Sequence, residues 1–174
     1  NRRKVCVFLR RKHASGCKML RANWVLKFHD TLPIAPQAKE RPRTVRLKNG
    51  TVRTFTPDKT KRFEHAVSSW IASAFTVRAK PLTAKIQPVK LEVLCVFARP
   101  QKLCRRADPS GYIWRTAKPD CSNLLKSIED GIEKAEYIVH NDSQFVDVHI
   151  QKVYGDKDQT PEIKVWIYTL EGDG

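Results

Sequence analysis

Val89-Lys90-Leu91-Glu92-Val93-Leu94-Cys95-Val96-Phe97 sets the architecture. Its odd-numbered positions are all apolar, while the even ones begin with Lys90 and Glu92 and then turn apolar. That period of two argues a strand buried on both faces toward its end, the pattern of a strand at the centre of a sheet. Pro81 and Pro88 bracket the linker before it. After it, residues 98–117 carry Arg99, Lys102, Arg105, Arg106 and Arg115 among Pro100, Pro109 and Gly111 without a period, which reads as a basic loop.

Upstream, Trp24, Leu26 and Phe28 alternate with Val25, Lys27 and His29 as in a second strand, stopped by Pro33 and Pro36. Arg43 to Leu47 and Val52 to Phe55 flank Lys48-Asn49-Gly50-Thr51, and Asn-Gly between two β-prone runs predicts a hairpin. Thr56-Pro57-Asp58 reads as N-cap, proline at the first helical position and an acid in the first turn. Behind it Phe63, Ala66, Val67, Trp70, Ile71 and Ala74 mark one apolar helix face.

Downstream, a second helix pattern opens at Asp120, with Leu124, Leu125, Ile128, Ile132 and Ala135 on one face and Asn123, Lys126 and Asp130 on another. Strands are predicted over Phe145–Val153 and Glu162–Thr169. The order strand, hairpin, helix, strand, helix, strand, strand favours an α/β (α+β) fold, a mixed β-sheet covered by two helices. We assign one domain to residues 21–174 and a basic N-terminal extension to residues 1–20.

The 174 residues suit a single domain, and 41% hydrophobic with 29% charged residues excludes a disordered or fibrous chain. No apolar run approaches the ~18 residues of a membrane span, and the N-terminal residues lack a signal-peptide core. A soluble, cytoplasmic protein with no membrane partner is expected. The cysteines at 6, 17, 95, 104 and 121 form no Cys-x-x-Cys pair, so neither a disulfide framework nor a zinc site is indicated, and Cys95 reads as core. The five histidines show no ligand spacing.

The charge of +15 is unevenly placed: residues 1–119 hold 28 Lys/Arg against 6 Asp/Glu, and residues 120–174 hold 5 against 12. Each carboxylate repels phosphate, so a protein that only clung to nucleic acid would gain nothing from such an acidic segment. A basic surface beside clustered carboxylates fits Mg²⁺-dependent phosphodiester chemistry, in which hard oxygen ligands hold a metal that bridges to phosphate. Solvated acids offsetting basic neighbours are the other reading. The candidate site is Asp120 at the mouth of the second helix with Asp142 in the turn Asn141-Asp142-Ser143-Gln144. Their meeting requires the connection between helix and strand to double back. Asp120 also suits a simple N-cap, Asp142 an Asx turn, and Lys126 an i,i+4 partner of Asp130. Lys39, Arg41, Arg43 and Lys59, with Arg105, Arg106 and Arg115 of the basic loop, are candidate DNA contacts. Phe55, Trp114 and Phe145 suit either base stacking or the core.

Lys118-Pro119-Asp120-Cys121-Ser122-Asn123-Leu124-Leu125-Lys126, then Glu129-Asp130, then Asn141-Asp142-Ser143-Gln144-Phe145-Val146, resembles the RusA family of Holliday junction resolvases. Lys39-Glu40-Arg41-Pro42-Arg43 and Thr56-Pro57-Asp58-Lys59-Thr60 resemble further motifs of that family, so the likeness runs over roughly residues 23–170. The resemblance implies a homodimeric, Mg²⁺-dependent endonuclease, with Mn²⁺ as a substitute ion, that cuts four-way DNA, and forks or flaps as further substrates, by symmetric nicks. It implies that Asp120 and Asp142 bind metal, that Lys126 is the catalytic lysine, and that Asp130 is a further acidic position. Ser122 stands where the family usually has a second aspartate, and Asn141 where it often has another. Ser122 thus either fills a coordination position through its hydroxyl or a water, or marks an engineered loss of an acid or a junction- or fork-binding protein with weakened or lost cleavage. An RNA-associated basic protein is a further alternative, one with no use for the acids.

Overall fold

A computed structural model describes residues 22–75 and 81–170. The expected extension over residues 1–20 lies outside the described residues. In chain order the elements are β1 (Trp24–Leu32), β2 (Arg43–Arg46), β3 (Val52–Phe55), α1 (Asp58–Ser73), β4 (Val89–Phe97), β5 (Ile113–Trp114), α2 (Cys121–Ala135), β6 (Phe145–Tyr154) and β7 (Glu162–Leu170). The main sheet has the order β1-β7-β4-β6-β5. Its β4–β6 pair is parallel and the other three are antiparallel. The alternating strand is therefore central, as its sequence requires, and burial on both faces is reached at Cys95 and Val96.

Both helices cover one face of the sheet, which confirms the mixed α+β architecture. Phe63, Val67 and Ile71 of α1 and Leu124, Ile128 and Ile132 of α2 meet Leu91, Val93, Ile163, Val165 and Ile167 of the strands in one buried core. Each such side chain contributes about 1.5–3 kcal/mol by leaving water. The helices come close at Gly131, where a Cβ would stand 2.6 Å from Val67 Cβ and 2.8 Å from Val67 Cγ1. Only glycine permits that approach.

Two local expectations are revised, and the predicted hairpin is found. Pro57, with extended backbone at φ −56° and ψ 144°, takes the N-cap position itself, and no side chain caps α1. The β2–β3 hairpin forms, yet as a separate two-stranded sheet outside the main one. The basic loop is not irregular throughout: it contains a one-turn 3-10 helix at Gln101–Leu103 and the short strand β5. It closes around Arg99, which is only 7% exposed. The Arg99 guanidinium donates to the Gly155 carbonyl at 2.8 Å and the Pro109 carbonyl at 2.6 Å, and also to that of Gly111. No helix among the described residues is long and apolar enough to cross a membrane.

Candidate active site

The apolar stripe of α2 faces the core, so the 3.6-residue period turns Lys126, Asp130 and Glu133 to an adjoining, partly open side. Glu136 ends the helix in the left-handed region at φ 59°. The chain then folds back, with Ile138 and Val139 fully buried beneath it. This brings Asp142 alongside the C-terminal half of the helix as the first residue of a one-turn 3-10 helix, Asp142–Gln144.

Buried Gln144 fixes that return. Its side-chain oxygen accepts from the His140 and Asn141 N–H groups at 2.7 and 3.2 Å, while its amide nitrogen donates to the Ala84 and Gln87 carbonyls at 2.8 and 3.0 Å. Asn141 caps the same turn, its side chain accepting from Ser143 N–H at 3.0 Å. Where the family pattern has an acid, Asn141 thus has a structural task.

The outcome is a compact group of opposite charges. The Lys126 ammonium bonds Asp142 and lies 3.3 Å from Asp130. Lys39 reaches Asp130 from another segment, itself held to α2 by Lys39 N–H donating to the Asn123 carbonyl at 2.9 Å. Carboxylate oxygens of Asp130, Glu133 and Asp142 lie within 4.8 Å of one another. Among the described residues no other trio of Asp, Glu, His or Cys side chains comes as close. Three hard oxygen donors suit Mg²⁺ or Mn²⁺ and not a thiophilic metal, so the donor set fits the ion that the family resemblance implies.

The hydrogen bond to Asp142 is the main influence raising the affinity of Lys126 for its proton; burial opposes it and Asp130 reinforces it. Lys126 is therefore an ammonium at neutral pH, an electrostatic group and not a general base. Burial by itself would raise the Asp130 carboxyl, but hydrogen bonds and charge from Lys39, then Lys126, outweigh it and hold Asp130 below the usual carboxylate range. For neighbouring Glu129 burial prevails, opposed by Lys126 and reinforced by Asp142 and Asp130, and its carboxyl is raised.

Asp120 and Ser122 do not join this group. Asp120 is the exposed N-cap of α2, and at 1.5 Å per residue it sits about 15 Å along the axis from Asp130. Lys152, near the far end of β6 from Asp142, ties that end of the helix down by donating to the Ala117 and Pro119 carbonyls at 2.9 and 2.7 Å. The connection does double back, but onto the C-terminal half of α2, so within one chain Asp142 meets Asp130 and not Asp120. The Asp120 carboxylate makes no capping bond, although its position would allow one.

Of the candidate DNA contacts, Arg41, Lys59, Arg105 and Arg106 are exposed. Arg43 is also exposed, 3.9 Å from Glu40. Lys39 is engaged with Asp130. Arg115 is packed into the fold: its guanidinium lies over the Phe97 and Tyr154 rings at 4.3 and 5.0 Å and donates to the Tyr154 hydroxyl at 2.8 Å. Phe145 packs against the core, whereas Phe55 and Trp114 are exposed, Trp114 by 70%. Glu133 was not singled out from the sequence, although its place one turn beyond Asp130 was the available signal.

A basic α+β domain that gathers lysines and carboxylates beside exposed arginines has the make-up of a hydrolytic nuclease. Residues 33–168 match the family model described as Endodeoxyribonuclease RusA, and the chain belongs to that family. It is accordingly an endodeoxyribonuclease, of a family that acts on Holliday junctions. It is 29% identical to the uncharacterized protein YqaN of Bacillus subtilis (strain 168) over 137 residues, 76% of this chain and 89% of that protein. It is 32% identical to the crossover junction endodeoxyribonuclease rusA of Lactococcus phage r1t over 82 residues, 47% of this chain and 57% of the phage protein.

Proposed function

We propose that the protein resolves four-way DNA junctions by paired, symmetric nicks, acting as a homodimer with Mg²⁺, and with forks or flaps as further substrates. The observation that carries this reading is the meeting of Lys126, Asp130, Glu133 and Asp142 at one partly open position in a chain whose first 119 residues are strongly basic. Asp130, Glu133 and Asp142 would hold the ion. When bound, Mg²⁺ supplies positive charge to the phosphate oxygens and lowers the pKa of a bound water. The Lys126 ammonium, which bonds Asp142 and lies 3.3 Å from Asp130, would yield those oxygens to the ion and remain beside them, facing the negative charge that develops on the scissile phosphate or the leaving oxygen. Asp120 stays in the proposed catalytic set through the family resemblance alone: exposed at the other end of α2, it is too far from these carboxylates to share the ion within one chain. Two cuts related by the symmetry of the junction require two copies of the site, which a twofold dimer supplies.

The experiment is nick mapping on a synthetic four-way junction. Symmetric nicks with Mg²⁺, their loss in chelator and retained binding without the ion support the proposal. Binding without nicks at any Mg²⁺ or Mn²⁺ concentration supports the second reading, a junction- or fork-binding protein, which Ser122 and the distance of Asp120 from Asp142 favour.

A further inference from the structure

The β2–β3 hairpin belongs to neither the core nor the charged group on α2. Every residue from Arg41 to Phe55 is exposed. The stretch holds five cations, Arg41, Arg43, Arg46, Lys48 and Arg53, and no acid. It also exposes four large apolar side chains: Val45, Leu47, Phe55 and, most of all, Val52 at 60%. An isolated two-stranded ribbon gains little from its own burial, so its apolar surface is not there to support the fold.

Its base, by contrast, is firmly tied. Lys39 bonds Asp130, and Glu40 N–H donates to the buried Thr60 hydroxyl at 3.1 Å. The hairpin therefore projects from beside the carboxylates, and at about 3.4 Å per residue its tip lies roughly 15 Å beyond the base. At the tip, Gly50 adopts φ +81° and Leu47 N–H donates to the Thr51 carbonyl at 2.8 Å, so Leu47 and Val52 flank a closed turn with Arg46 and Lys48 next to them.

We infer that this hairpin is an arm that enters the branch point of the DNA substrate, Leu47 and Val52 packing on bases unstacked there while its cations hold the flanking phosphates. The inference rests on the junction-resolving reading above and adds the element that distinguishes branched from linear DNA. Phosphate contact explains the cations for any DNA. The apolar side chains need base faces, which an intact duplex keeps stacked inside and an opened branch point presents.

The test compares a synthetic four-way junction, with 2-aminopurine at the branch point, and a linear duplex built from its arms. Wild-type protein should prefer the junction and raise the 2-aminopurine fluorescence. Leu47→Ser combined with Val52→Thr, on exposed positions that leave the core intact, should weaken junction binding about tenfold or more and remove the fluorescence rise, with duplex binding unchanged. Arg46→Gln combined with Lys48→Gln should weaken both substrates alike. If wild type prefers the junction and the apolar pair of substitutions changes both affinities equally or neither, the arm is not a branch-point element. If wild type shows no preference for the junction, the junction-resolving reading falls and the inference falls with it.

Discussion

At the residue scale, the Lys126 ammonium bonds Asp142 and lies 3.3 Å from Asp130, a position from which its charge can act on a phosphate. Lys126→Ala should therefore lower the turnover number by about 10²–10³-fold while changing junction affinity little. Equal losses in both would make Lys126 a simple phosphate contact. Gln144 acts through Asp142: replacing it by Leu removes the five hydrogen bonds of its side chain, and should cost about 2–3 kcal/mol in urea unfolding and reduce cleavage more than binding. A pH dependence follows from Cys95, whose thiol is pushed up to about 12, chiefly by burial and then by Cys121. Above its ordinary value of 9.0 the unfolded chain loses this proton while the folded chain keeps it, so stability falls as pH rises from 9 toward 12. Cys95→Ala should show a shallower fall over that window in denaturant titrations.

At the element scale, the contact of α1 with α2 and the closure of the basic loop each depend on one side chain. Alanine is ordinarily about 1 kcal/mol better than glycine inside a helix. At Gly131 the 2.6 Å approach to Val67 reverses that sign, and Gly131→Ala should destabilise by about 1–3 kcal/mol in thermal or denaturant unfolding. Arg99→Met should cost about 2–3 kcal/mol by leaving carbonyls of Pro109, Gly111 and Gly155 without their donor, and should raise hydrogen exchange across residues 98–117. The elements themselves were legible because their signals are local. Alternation in β4, the Asn49-Gly50 turn and the apolar stripes of both helices act over a few residues. The role of Arg99 was not legible, because its acceptors lie up to 56 residues away and a basic run reads as solvated until the loop closes on it. The same holds at the site. The residues themselves mark Asp142 and Lys126 and the resemblance implies their roles, whereas the partnering of Asp130 with Lys39, 91 residues apart, and the entry of Glu133 come from tertiary structure. Pairing Asp120 with Asp142 requires the chain to double back to the start of α2, whereas the return brings Asp142 beside Lys126, Asp130 and Glu133.

For the whole molecule, the segregation of charge becomes a division of surface. The basic first part of the chain contributes the exposed hairpin, with Arg41 and Arg43 at its base, and the acidic last part contributes the carboxylates that would bind the ion. Junction binding should weaken steeply with salt, and Arg41→Gln with Arg43→Gln should lower the slope of log affinity against log salt by about 2, since each phosphate contact contributes roughly 0.9. The central claim is that Asp130 and Asp142, brought together by the fold-back after α2, hold a catalytic divalent ion. Calorimetric titration of Mn²⁺ into wild type and the single variants Asp142→Asn, Asp130→Asn and Asp120→Asn tests it most directly. The account predicts that the first two lose most of the Mn²⁺ affinity while Asp120→Asn retains it. Loss confined to Asp120→Asn, with the other two unchanged, would contradict it.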